Sequence, residues 1–212
     1  MKQFKVATKF YVIFSLLFAI PASHLSTLLQ NYLSSLGPNN IFQQLASLGV
    51  IEIPTTAILL VGVFWLIDKW ILKIKWLPLI FNIPHDVNGR YEGTLISNYD
   101  STQTYKVVIE IKQSLTSISV NLYSESSPSH SIVAAIGRNY QDNWAVYYLY
   151  QNNPNTVNHD EDMKDHYGAA FLEVFDKAER LVGHYFNNPR DRGRHGSIDV
   201  KRVGKTLLGR LK

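Results

Sequence analysis

The feature that most constrains this chain is an apolar double span at its start. From Phe10 to Ile51 there is no Lys, Arg, Asp or Glu. Lys2, Lys5 and Lys9 precede that stretch, and Asp68, Lys69, Lys73 and Lys75 follow the second apolar run. Phe10–Leu29 is long enough for about 30 Å of helix, the thickness of a bilayer core. Ile53–Leu66 is short for a span, but Lys69 can snorkel, and Trp65, Trp70 and Trp76 suit a membrane interface. With Leu36-Gly37-Pro38-Asn39-Asn40 as the turn, the pattern reads as a transmembrane helical hairpin with spans at about residues 10–29 and 53–67. The lysines at both outer ends place both ends in the cytoplasm. Pro21, Ser23 and His24 are expected to interrupt the second half of the first span, and Ser15, Ala19, Ala22 and Gly62 to permit close helix packing. A cleavable signal peptide ending near Ala19, Ala22 and Ser23 is the rival; the second apolar run and the poor cleavage spacing disfavour it.

Charge is divided along the chain. Residues 1–84 carry six basic and two acidic side chains, whereas residues 85–212 carry fifteen of each. The net charge of +4 therefore comes from the spans' flanks and is no nucleic-acid signature. The domain reading follows: 1–84 as hairpin and linker, with Trp70–Ile83 as a short amphipathic segment along the membrane surface, then 85–212 as a cytosolic domain. With no Cys, disulfides, thiolate metal sites and cysteine nucleophiles are excluded.

Beyond Asp86 the period changes from helix to strand. Gly89–Ser97 opens the series. Tyr105–Gln113 sets Tyr105, Val107, Ile109 and Ile111 on one face, and Thr116–Ser124 repeats the alternation. Ser131–Arg138, Trp144–Gln151, Tyr167–Phe175, Arg180–Asn187 and Gly196–Val203 follow, separated by Ser126-Ser127-Pro128, Gln141-Asp142-Asn143, Asn152-Asn153-Pro154-Asn155 and Asn188-Pro189. Eight fairly evenly spaced strands without intervening helices predict an antiparallel up-and-down β-barrel of lipocalin-like type or a sandwich; the barrel, wide enough to be filled or to hold one small ligand, is preferred. Gly93, Gly168 and Gly183 fit the bends of a closing barrel. An outer-membrane barrel is excluded, because the outward faces are Ser, Asn, Lys, Glu and Arg.

Catalytic signals are weak. His159-Asp160-Glu161-Asp162-Met163-Lys164-Asp165-His166 looks metal-like but reads as a solvated loop. Gly204-Lys205-Thr206 resembles the end of a phosphate-binding loop, yet Asp199 stands where its first Gly belongs. No nucleophile elbow is present, so no enzyme, metal or cofactor is expected. The aromatic and basic content points instead to binding. Tyr91, Tyr105, Trp144, Tyr148, Tyr150 and Tyr185 fall on strands, where tyrosines fill small barrels or stack on bases. Arg90, Arg138, Arg190, Arg192 and Arg194 suit phosphate recognition. Gln113 and Ser114 end an apolar strand and are placed to read base edges. The candidate ligand set is Arg90, Tyr91, Tyr105, Gln113, Ser114, Tyr148, Tyr150, Tyr185 and Arg194. From Arg190 to Lys212 eight basic and two acidic residues form a tail suited either to anionic head groups or to solvent.

Two N-terminal spans, then Gly89-Arg90-Tyr91-Glu92-Gly93-Thr94-Leu95, Ile109-Glu110-Ile111-Lys112-Gln113-Ser114, Leu122–Ser131 and Leu181-Val182-Gly183-His184-Tyr185-Phe186, resemble the SMODS-associating two-transmembrane β-strand-rich effector family of the bacterial anti-phage systems called CBASS. The resemblance covers essentially the whole chain. It implies a receptor for a cyclic di- or oligonucleotide made by a partner CD-NTase. Ligand binding would drive homo-oligomerisation, and the spans would then disrupt the inner membrane in abortive infection. A membrane-tethered, lipocalin-like carrier of a small apolar ligand is the alternative, and a barrel-fold hydrolase at the membrane the third reading.

Overall fold

The computed structural model describes residues 2–35, 52–74, 82–98, 100–125, 127–153, 166–187 and 194–211. The turn at Leu36–Asn40, Lys75 and Trp76, the string from His159 to Asp165, and Arg190 and Arg192 lie outside these residues.

Helix α1 runs over Lys2–Ser35 and α2 over Glu52–Trp70. Contrary to expectation, Pro21 does not interrupt α1. Ser23 Oγ donates to the Ile20 carbonyl at 2.8 Å and Thr27 Oγ1 to the Ser23 carbonyl at 3.0 Å, so side-chain hydroxyls occupy backbone acceptors around the proline. Phe14, Phe18, Ala22 and Ser26, four residues apart, form one stripe of α1 that is at least partly buried. Phe14 and Phe18 pack beside Val63, Phe64 and Ile67 of α2. Ala22 behaves as the close-packing small residue; Ala19 and Gly62 are exposed and do not. Among the described side chains much of the remaining surface is apolar and open: Leu16, Leu17, Ile20 and Leu28 are each more than 60% exposed, as are Ile58 and Val61 on α2. The segment Val12–Tyr32 is long and apolar enough to cross a membrane by length and composition. Lys69 and Lys73 fold back over the rings of Trp65 and Trp70, at 4.1 and 4.3 Å.

Eight antiparallel strands close into a barrel in sequential order: β1 Gly89–Ser97, β2 Asp100–Gln113, β3 Ile118–Ser124, β4 Pro128–Arg138, β5 Trp144–Asn152, β6 His166–Phe175, β7 Arg180–Asn187 and β8 His195–Gly204. The last strand pairs with the first, with Gly93 opposite Val200. Period-2 alternation fills the interior with Tyr91, Val107, Ile109, Ile111, Val120, Ile136, Val146, Leu172, Leu181, Ile198 and Val200, all essentially inaccessible. Gly93 and Gly183 face inward where the wall coils. A Cβ on Gly93 would overlap the Asp199 carbonyl, and one on Gly183 the Phe171 carbonyl, so only glycine permits that approach.

Antiparallel order gives the barrel two different ends. The base carries the start of β1, the β2–β3 and β4–β5 turns and the 3-10 turn Asp176–Ala178; the mouth carries the β1–β2 and β3–β4 turns and the β5–β6 and β7–β8 connections. The helices meet the base. The Leu115 amide donates to the Asp68 carbonyl at 3.2 Å, and the amide and hydroxyl of Thr116 donate to the Asp68 carboxylate at 2.9 and 2.8 Å. Leu115 and Ile83 pack with Ile67, Ile71 and Leu72 in one buried cluster. Ile71 and Leu72, expected along a membrane surface, are therefore inside a joint between α2 and the barrel.

Candidate functional site

The nine candidate residues do not come together; they divide between the two ends. Arg90, Tyr91, Gln113 and Ser114 belong to the base. Arg90 faces outward on β1 but is only 5% exposed. It ion-pairs with buried Glu110 at 2.8 Å and with Glu92 at 2.9 Å, and donates to the carbonyls of Arg210 and Leu211 at 2.7 and 2.6 Å. The Tyr91 hydroxyl accepts from Arg202 Nε and Nη2, at 3.1 and 2.7 Å, and lies 3.0 Å from the Val87 and Ala178 carbonyls. Burial pushes its pKa up to about 12, against the lowering by Arg202. Gln113 Oε1 accepts from the Val87 amide at 2.8 Å. Asn88 bridges to the Gln113 backbone on both sides, at 2.6 and 2.9 Å. Ser114 Oγ organises the β2–β3 turn through Ser117. These residues seal the base, with Asn82–Asn88 folded across it; Arg138 reaches Asn82 Oδ1 at 2.6 Å and stacks on Trp144.

The plug makes the base acid-sensitive. Burial raises the Asp86 pKa, but hydrogen bonds from Asn88 and Lys205 outweigh it and hold the carboxyl below its usual range. Burial lowers the His85 pKa, helped by Arg138 and Lys177. Each group binds its proton less readily folded than unfolded. Each therefore adds stability at neutral pH that is lost on acidification, from about 6.5 downward for His85 and from about 4 downward for Asp86. Urea unfolding midpoints should fall through both windows, and Asp86→Asn should flatten only the lower one.

Tyr105, Tyr148, Tyr150, Tyr185 and Arg194 belong to the mouth. The rings of Tyr148 and Tyr150 lie 5.9 Å apart, tilted by 49°. The Tyr150 hydroxyl donates to Asn187 Oδ1 at 2.6 Å. Two glycines shape the aromatic wall. A Cβ on Gly168 would strike the Tyr150 ring, and one on Gly196 would fall 2.7 Å from Tyr185 Cε1. Burial raises the pKa of Tyr148, Tyr150 and Tyr185, so all three hydroxyls stay protonated at neutral pH and can donate. Arg194 follows the β7–β8 connection, its carbonyl accepting from the Asn187 amide at 2.7 Å, and its charge lowers the Tyr185 pKa against burial. Tyr105 stands at the rim, its hydroxyl donating to Gln103 Oε1 at 2.9 Å.

A polar set absent from the sequence-based list completes this end. Buried Asn152 accepts from Ser127 Oγ at 2.8 Å and Ser129 Oγ at 3.1 Å; Asn187 and Ser97 are also buried. Asn152 and Asn187 follow Tyr150 and Tyr185 by two residues, which puts each pair on one face. That spacing was the available signal, masked by the turn-like composition of the strand ends. An open recess of about 410 Å³ adjoins the rim, lined by Ser97, Tyr185 and Gly196 with His184, Phe186 and His195 from the outer face. Among the described residues no three His, Asp or Glu side chains converge as metal ligands.

The family described as "Cap15, cyclic dinucleotide receptor domain" matches residues 81–202, which take in the base plug and nearly all of the barrel. CD-NTase-associated protein 15 from Staphylococcus schleiferi is 40% identical over 81 residues, 38% of this chain. The aligned part spans 44% of that relative's length. The family match covers more than half of the 212 residues and coincides with the closed barrel, so the chain belongs to the Cap15 cyclic dinucleotide receptor domain family.

Proposed function

We propose that this chain is a CBASS effector whose barrel mouth takes a cyclic dinucleotide from a partner CD-NTase and whose helices carry the response into the inner membrane. The observation that carries this reading is the aromatic, donor-rich mouth on a barrel of the receptor family. A cyclic dinucleotide presents two flat bases and two phosphates. Tyr105 and Tyr185, only partly buried, supply π-faces, since every base stacks, and the core rings of Tyr148 and Tyr150 pack beneath them. Ser127, Ser129, Asn152 and Asn187 turn to base edges by giving up bonds that they make among themselves and to Tyr150. Arg194 supplies the cation for a phosphate. Arg90, Tyr91, Gln113 and Ser114 act at the base as structural residues. No catalytic step is assigned to the protein.

In this reading the two-span hairpin, residues 1–84, is the effector part and residues 85–212 the sensor. The exposed leucines of α1 face lipid, both outer ends lie in the cytoplasm, and the joint at Asp68, Leu115 and Thr116 links the two parts. Ligand that binds an assembled state more tightly than the monomer shifts the population toward homo-oligomers. The polar mouth disfavours a carrier of apolar ligands.

Dye release from vesicles carrying the full chain tests the whole sequence of events. Leakage should begin on addition of one cyclic dinucleotide and be lost in Tyr185→Ala. Binding without leakage would contradict the membrane role, and leakage indifferent to any cyclic nucleotide would contradict the sensor.

A further inference from the structure

The C-terminal segment 205–211 is fixed against the outside of the barrel by a buried device that the nucleotide reading leaves unused. The Leu208 amide donates to Glu110 Oε1 at 2.7 Å, and the Gly209 amide donates to Glu110 Oε2 at 3.1 Å. Arg90, paired with that same carboxylate, holds the next two carbonyls, those of Arg210 and Leu211. Gly209 has φ +69°, which a side chain disfavours, so the chain turns at a chosen residue. The turn presents Leu207 and Leu208 outward, 41% and 51% exposed. Two ionic side chains with exposures of 6% and 3% thus hold adjacent leucines out in the open.

Position says what covers them. Glu110 lies three residues before the end of β2, about 10 Å along the strand from the base rim. The turn after β2 is the one that grips Asp68 at the end of α2. The leucines therefore stand beside the base, where the helices leave the barrel. Exposed Arg210 follows them, Lys201 lies on β8 opposite Glu92, Lys205 pairs with Asp86 at 2.9 Å, and Lys69 and Lys73 lie at the end of the helices. Apolar tips on a segment that carries Lys205 and Arg210, at the end of the barrel where Lys69 and Lys73 leave the helices, match the boundary of an anionic bilayer.

We propose that Leu207 and Leu208, held by the Arg90–Glu110 clamp, form a second membrane contact that sets the barrel base on an anionic bilayer surface. This contact rests on the reading that α1 lies in the bilayer. It fixes the height and tilt of the barrel, so that mouths of neighbouring copies stand level.

Because the chain has no Cys, single labels can be placed anywhere on the full protein. An environment-sensitive dye is attached at Leu208→Cys, at Tyr167→Cys on the mouth side, and at Leu25→Cys on the exposed face of α1. The proteins are reconstituted in phosphatidylcholine vesicles with and without phosphatidylglycerol, carrying spin-labelled lipid as quencher. Expected is several-fold stronger lipid quenching at 208 than at 167, increased by phosphatidylglycerol, with 25 quenched in both. Position 25 quenched with 208 no different from 167 overturns the contact alone. Protection at 208 that follows protein density and not lipid quencher overturns it in favour of a second copy. No quenching at 25 overturns the bilayer reading and the contact together.

Discussion

Arg90→Ala should lower the stability of the barrel by about 3–5 kcal/mol, the loss typical of leaving one partner of a buried ion pair alone. The Glu110 carboxylate is 3% exposed and would keep only the amides of Leu208 and Gly209. The tail would at the same time lose both carbonyl contacts to the guanidinium. Urea unfolding of the full chain in detergent, followed by tryptophan emission, measures the loss. Arg90→Met with Glu110→Leu should recover most of it, because apolar replacement of both partners removes the uncompensated charge. The tail amides then turn to water, so the double variant should be stable yet protease-sensitive after Gly204. A single variant within about 1 kcal/mol of wild type would mean that the pair carries little of the fold.

Gly183→Ala should be about as damaging, by at least roughly 3 kcal/mol, at the upper end of overpacking effects. The added methyl would overlap the Phe171 carbonyl and sit 2.8 and 2.9 Å from the Phe171 carbonyl carbon and Leu172 Cα. All three obstacles are backbone of β6, paired through Leu172 to Gly183 itself, and cannot rotate away. Relief needs β6 and β7 to part, which breaks the closed ladder. Gly137→Ala is the control, since its nearest neighbour is a Tyr147 ring carbon at 4.0 Å. Chemical denaturation of the two variants in parallel should separate them by more than about 2 kcal/mol.

Alternation and turn chemistry were enough to locate the strands. Gly89–Ser97 and Arg180–Asn187 have the observed bounds, and most others differ by one to three residues. The larger difference is β2, which begins at Asp100 and not Tyr105. Asp100–Thr104 has no apolar alternation, and pairing with β1 from Ile96 and Ser97 makes it a strand. Helix α1 continues through Pro21, and the hydroxyls of Ser23 and Thr27 bond carbonyls of the same stretch of helix.

The candidate site was half legible. Period 2 told which residues face inward but says nothing of which end they reach. In an up-and-down barrel successive strands run in opposite directions, so Tyr91 at the start of β1 and Gln113 at the end of β2 share the base. Tyr150, late in β5, and Tyr185, late in β7, share the mouth, with Tyr148 at mid-strand below them. Arg90 was beyond this rule, because the tail that buries this side chain is fixed by tertiary contacts to Glu110.

The measurement that bears most directly on the central claim is calorimetric titration of the full chain with a panel of cyclic dinucleotides, wild type beside Tyr185→Ala and Tyr150→Phe. One member should bind with one-to-one stoichiometry per barrel. Tyr185→Ala should weaken it by roughly 5- to 150-fold, the equivalent of about 1–3 kcal/mol for one stacked base. Tyr150→Phe keeps the ring and should lose less, through the hydroxyl that Asn187 now accepts from. Saturable binding of a cyclic dinucleotide that both mouth variants leave unchanged, or no heat with any member of the panel, would contradict the account.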